Sequence, residues 1–220
     1  APAAASRLQL LAALYGYAVQ IYADFSGYTD IAIGCALLLG FRFPQNFDAP
    51  YRSRSLQEFW HRWHMSLSRW IRDYIYVPFG GSRGGRIATA RNLAVAMVLA
   101  GLWHGAAWTF LVWGALHAAA LVGERAVRAV WRPVGLPPEL VAALQWLVTF
   151  RVVCLGWVFF RADDLGRAFD LLRQLVSGGP PAELITATAV AVTALALAVQ
   201  FVPDRASATA RSHLASADCL

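Results

Sequence analysis

The chain has 220 residues, 58% of them hydrophobic and 15% charged, with a mean hydropathy of +0.48. Soluble domains carry about a quarter charged residues. Here the apolar residues gather in runs, so the composition points to a polytopic membrane protein rather than an ordinary soluble domain. All nineteen basic residues are arginine, and nine of them fall between Arg42 and Arg91. The net charge of +6 therefore belongs mainly to one segment between apolar runs, which favours a lipid bilayer as partner and disfavours nucleic acid.

The first residue is Ala1, with no basic region ahead of a cleavage motif, which predicts a chain that starts within a longer protein. The first apolar run, 8–41, is long enough to cross a bilayer but is interrupted by "YADFSGYTD" (22–30). Asp24 and Asp30 at membrane depth need a protein or water environment, and Gly27 between them predicts a break into two pieces. Pro44 and Pro50 then impose extended or turn geometry on 42–55.

Over 55–76, Leu56, Phe59, Trp60, Trp63, Leu67, Trp70, Ile71 and Tyr74 recur at three- and four-residue spacing. They lie within roughly 60° of one direction on a helix, with arginines opposite, which predicts an interfacial amphipathic helix. "PFGGSRGGR" (78–86) reads as a glycine-rich turn. A second run, 92–122, contains no Asp, Glu, Lys or Arg and is predicted as one span. Further spans are predicted at 140–160 and 184–202, and a short amphipathic helix at 163–176, with Asp163 or Asp164 as its cap. The arginine bias places 42–91 on the cytoplasmic side. The predicted fold class is all-α: a polytopic transmembrane helix bundle with broken and interfacial amphipathic helices.

Cys35, Cys154 and Cys219 are scattered without paired spacing, so neither a disulfide framework nor a metal cluster is implied. Among the histidines, His104 lies in the charge-free run beside Gly101 and Gly105. An ionisable residue there marks a pathway or a site, unless it only hydrogen-bonds a neighbouring helix. His117 is thirteen residues on, which rotates it about 140° away on an unbroken helix and assigns it to packing. His64 lies about 80° from the centre of the apolar stripe and His61 about 140°, so His64 can face an interior while His61 meets solvent or headgroups. His213 sits in the polar tail. His61 and His64 lack the Glu of a zinc hydrolase motif, Ser66 and Ser68 lack a nucleophile elbow, and "FGGSRGG" fits neither phosphate-loop spacing.

Four stretches occur in order: "YADFSGYTDIAIG" (22–34), "NFDAPYRSRSLQEFWHRWHMSLSRWIRDYIYVPFGG" (46–81), "GLWHGAAWTFLVWGALHA" (101–118) and "WVFFRADDLGRAFDLL" (157–172). Together they resemble the membrane-bound O-acyltransferase family, in its bacterial branch and closest to the alginate O-acetylation pattern. The resemblance runs from about Tyr15 to Val176. It departs from the pattern at His61, where arginine is frequent, and at Phe79, where leucine is usual.

The resemblance implies that residues 1–220 form the C-terminal part of one such membrane domain, since relatives carry several helices before this point. It implies a multi-pass protein of the bacterial inner membrane that moves an acetyl or other acyl group from a cytoplasmic thioester to a hydroxyl. The family's histidines fall on His104 and His64. His104 is then general base or covalent relay, and His64 orients the donor or relays a proton. On this reading Trp60, Trp63, Trp103 and Trp108, with Asp24 and Asp30, line a substrate tunnel, and Arg62, Arg69 and Arg72 meet donor phosphates. No bound cofactor or metal is expected, and the donor is acetyl-CoA or an acyl carrier protein thioester. The acceptor is a polysaccharide or a periplasmic acyltransferase partner. The alternative from another class is a non-catalytic transport or scaffold protein, with Asp24, Asp30 and His104 forming a polar conduit.

Overall fold

Helix α1, Arg7–Leu38, opens on a capping box. Ser6 Oγ accepts the Gln9 backbone N–H at 3.3 Å, and Gln9 Oε1 accepts that of Ser6 at 2.7 Å. The computed structural model describes residues 6–131, 135–178 and 186–202. The break predicted at Gly27 is absent: α1 runs through it. One glycine costs a helix interior only about 1 kcal/mol, and no proline lies between Arg7 and Leu38 to remove a backbone donor. The helix ends at Leu39, with Gly40 at φ +85°.

The following loop is pinned from two sides. The Tyr51 hydroxyl donates to the Ala18 carbonyl of α1 at 2.6 Å, and Trp146 Nε1 donates to the Tyr51 carbonyl at 2.9 Å. Tyr51, Phe47, Phe59, Trp63, Phe150 and Trp157 form the centre of the core, mostly in edge-to-face and tilted pairs.

The amphipathic stretch predicted as one helix over 55–76 is three pieces: α2, Leu56–Arg62; α3, Met65–Ile71; and a π-helical turn, Arg72–Tyr76. Trp63 is extended and His64 takes the left-handed conformation (φ 45°, ψ 53°) between α2 and α3. The kink divides the apolar stripe. Leu56, Phe59 and Trp63 enter the core, whereas Trp70 and Tyr74 stack on each other at the surface.

The charge-free run 92–122 is not one span. It belongs to two helices, α4 at Gly85–His104 and α5 at Trp108–Val130, packed as a hairpin around a turn at 105–107. Two glycines allow the close approach: a Cβ on Gly101 would stand 2.3 Å from the Phe110 carbonyl oxygen, and one on Gly114 2.4 Å from that of Met97. Each helix continues past the uncharged run, α4 starting at Gly85 and α5 ending at Val130.

Helix α6 spans Pro138–Arg161. With α4 and α5 it makes three helices, among the described residues, long and apolar enough to cross a membrane. Helix α7, Leu165–Ser177, starts at Asp164, whose Oδ1 accepts the Arg167 N–H at 2.8 Å. Helix α8 covers Ala187–Val199. At about 20 Å it is shorter than the roughly 30 Å hydrocarbon layer. The predicted span 184–202 begins outside the described residues, as do the tail 203–220 with His213 and Cys219. The described residues form an all-α bundle.

Candidate functional site

On α4, Leu93, Met97, Ala100 and His104 follow the three- and four-residue spacing of one helix face, and they line one wall of a cavity of about 610 Å³. His104 is the last residue of α4. Its ring lies 4.9 Å from Trp103, 4.9 Å from Phe160, 5.3 Å from Trp113 and 6.0 Å from Phe110, centre to centre. Indole offers only a donor and benzyl neither donor nor acceptor, so none of these rings can accept a proton from the imidazole.

His64 reaches the same cavity from the α2–α3 kink. Its ring meets Phe25 of α1 edge-on at 4.7 Å and Trp103 at 6.0 Å. Trp103 thus touches both imidazoles. His64 lies between the spans, and burial, with His104 a smaller contributor, brings its pKa down to about 4.

The far end of the cavity is cationic. Glu124, Arg125 and Arg128 of α5 line it, while Arg69 and Arg72 line the cavity from the α3 side, Arg69 Nε donating to the Met65 carbonyl at 3.1 Å and Arg72 pairing with Asp73 at 2.8 Å. Glu124 Oε1 pairs with Arg128 at 3.0 Å, and its other oxygen accepts the Leu56 N–H that opens α2. From Trp113, beside His104, to Arg128 is about 22 Å along α5 at 1.5 Å per residue. The cavity therefore has imidazoles at one end and guanidinium groups at the other.

The other sequence-predicted residues divide. Trp60 and Trp63 line the cavity, Trp63 being buried against Phe59 and Trp157. Trp103 is 60% exposed and touches both imidazoles from outside the lining, and Trp108, 72% exposed at the start of α5, is outside it as well. Asp24 and Asp30 are exposed on α1 and are not among the residues that line the cavity with His104. Arg62 is also elsewhere: its guanidinium holds Asp48 Oδ2 at 2.6 Å and Glu58 Oε1 at 3.0 Å, tying the loop to α2. His61 is exposed at the cavity mouth. His117 is fully buried between Trp60 and Trp113, facing the bare Cα of Gly156.

Sequence reasoning missed Phe25, Asn46, Phe160, Arg125 and Arg128. For the two arginines a signal existed, because Trp113, Leu121, Glu124 and Arg128 share a helix face. Ending the span near residue 122 hid it. Asn46 carries no periodic signal, since its partners lie across the α2–α3 kink.

The chain matches the membrane-bound O-acyltransferase family over residues 5–161. It is 49% identical to the probable alginate O-acetylase AlgI of Azotobacter vinelandii over 163 residues, covering 74% of this chain and 32% of that protein. It is 44% identical to the peptidoglycan O-acetyltransferase of Helicobacter pylori over 161 residues, covering 73% and 30%. To the teichoic acid D-alanyltransferase of Bacillus subtilis it is 32% identical over 159 residues, covering 67% and 40%. It spans about a third of the length of the curated relatives it matches.

Proposed function

The chain belongs to the membrane-bound O-acyltransferase family, and from that premise we propose that it carries the acyl-transfer site of a multi-pass membrane enzyme. The observation that supports this most is the meeting of His104 and His64, from separate sequence motifs, on one largely apolar cavity with arginines of α5 at its far end. The names of the relatives, alginate O-acetylase, peptidoglycan O-acetyltransferase and teichoic acid D-alanyltransferase, support acyl transfer to a polymer.

In the reaction, an acceptor hydroxyl attacks the carbonyl carbon of a thioester. His104 takes the hydroxyl proton as general base. The tetrahedral intermediate then collapses, the C–S bond breaks, and the proton passes to the departing thiolate. An ester and a free thiol result. His64 orients the thioester or relays that proton. Trp60 and Trp113 shield the activated acyl group from water, whose attack would waste it as free acid.

The donor is acetyl-CoA or an acyl carrier protein thioester on the cytoplasmic side. Its phosphates meet Arg69 and Arg72 together with Arg125 and Arg128, which replace Arg62 in that role. The acceptor is a hydroxyl of an exported polysaccharide or of a periplasmic partner, and the enzyme resides in the bacterial inner membrane.

In cells carrying the complete gene, His104→Ala is expected to lower acyl transfer by about 10²-fold or more, with membrane insertion and accumulation unchanged. His61→Ala, at the exposed mouth, should stay close to the native rate. Acylation measured as ester content of the acceptor decides: retained acylation in His104→Ala overturns the assignment.

A further inference from the structure

A left-handed backbone at a residue other than glycine costs about 1–2 kcal/mol, and His64 adopts one in the middle of an otherwise helical stretch. What holds it there is the preceding loop, chiefly Asn46 through both its backbone carbonyl and its side chain. The Asn46 carbonyl oxygen accepts the Met65 N–H at 2.9 Å. Asn46 Oδ1 accepts the Ser66 N–H at 3.1 Å and the Ser66 hydroxyl at 2.9 Å. Two residues further along the loop, the Asp48 N–H donates to the Arg62 carbonyl at 3.0 Å. The loop thus satisfies the backbone on both sides of the kink, and Asn46 supplies acceptors that the first turn of α3 lacks.

The same Asn46 oxygen lies 3.2 Å from His64 Nδ1. A backbone N–H can only donate, so the atom facing Ser66 N is fixed as the amide oxygen and not its nitrogen. The Ser66 hydroxyl, 3.5 Å from Nδ1, already donates its proton to Asn46 Oδ1 at 2.9 Å, so the tautomer that makes the Asn46 contact a hydrogen bond is the one with a proton on Nδ1. In a neutral imidazole this leaves the lone pair on Nε2, across the ring from Asn46. We infer that Asn46 is a positioning residue for acyl transfer: it fixes the kink that brings His64 to the cavity and holds the imidazole as its Nδ1–H tautomer, with Nε2 as the proton-accepting atom. The inference rests on the reading of the cavity as an acyl-transfer site, but the tautomer itself can be measured without turnover.

The titratable and charged groups that line the cavity with His64 are His104 of α4, Glu124, Arg125 and Arg128 of α5, and His61, Arg69, Arg72 and Tyr76 of the His64 segment; α1, whose Phe25 packs on the ring, carries Asp24 on its exposed face, and the loop carries Asp48, paired with Arg62. All are unchanged in the variants proposed. Asn46→Asp keeps an acceptor for Ser66 and Met65, so the kink survives, but places a carboxylate against Nδ1. A negative charge there favours the imidazolium, so His64 protonates at higher pH than in the native protein.

The test is nitrogen NMR of the histidine-labelled chain in lipid nanodiscs, with the His64 signal assigned by its loss in His64→Gln. The Nδ1–H pattern at neutral pH and an upward-shifted His64 titration in Asn46→Asp are expected. An Nε2–H pattern, or a titration unmoved by the substitution, overturns the inference. Acyl transfer by the complete protein gives the second readout: the acid limb of the Asn46→Asp pH–rate profile should move to higher pH. A mere cap of α3 would leave that limb in place, because aspartate caps as well as asparagine, and that result also overturns it. Native acyl transfer in His64→Ala would instead overturn a role for His64 in the reaction, and with it the positioning role of Asn46, while the NMR pattern still reports whether the tautomer is held.

Discussion

His61 and His64 end up apart, one exposed and one half-buried, as the helical angles suggest, but the mechanism differs. The angles assume a continuous helix, whereas His64 reaches the cavity through a left-handed kink. His117 likewise is packed rather than lining the cavity, although the helix supposed to carry it away from His104 turns back at 105–107. Trp113 now lies between the two, 5.3 Å from one ring and 4.9 Å from the other. Gly156 leaves the space His117 fills, since a Cβ there would come within 2.6 Å of Nε2. Gly156→Ala is therefore expected to displace His117 and lower stability by about 1–3 kcal/mol. A thermal-unfolding midpoint in detergent, read against the native chain, measures it.

At the scale of elements, the hairpin of α4 and α5 sets the position of His104, because the backbones touch at Gly101 and Gly114. Any side chain at Gly114 meets the Met97 backbone, which cannot rotate aside. Gly114→Ala should spread the hairpin, cost about 1–3 kcal/mol and reduce acyl transfer by moving His104. Gly123→Ala on the same helix meets nothing within 4 Å and should be neutral or stabilising by up to about 1 kcal/mol. If protease resistance and activity fell equally in both variants, close approach would not be the reason for Gly114. The sequence displayed these glycines but not their partners. Small residues in an apolar run suit a single packed span as well as a hairpin, and only the Phe110 and Met97 backbones distinguish the two.

Across the whole molecule, the cavity joins residues whose segments are far apart in the chain, with His64 and His104 at one end and Arg125 and Arg128 about 22 Å along α5 at the other. If the guanidinium groups receive donor phosphates, Arg125→Ala with Arg128→Ala should raise the KM for the thioester about tenfold and change kcat much less. The native KM should also rise with ionic strength more steeply than that of the variant, because exposed charges are screened by salt. Initial rates at varied donor and salt concentration separate these effects. Equal losses in kcat and KM dependence would point to a structural role for the rim.

The sequence by itself determined the membrane class and the family, because both are written locally: in apolar runs, in arginine placement and in contiguous motifs such as the Trp103–His104–Gly105 triplet. It also put the cap of α7 at Asp163 or Asp164, of which Asp164 serves, its side chain and backbone partner lying three residues apart. The tertiary structure decided where the helices break, which aspartates and tryptophans leave the cavity, and which arginines enter it. A break is settled by whether distant atoms replace the backbone partners that the helix loses. At Gly27 nothing does, and α1 continues. At His64 the Asn46 amide does, and the chain turns to bring the second imidazole to the first.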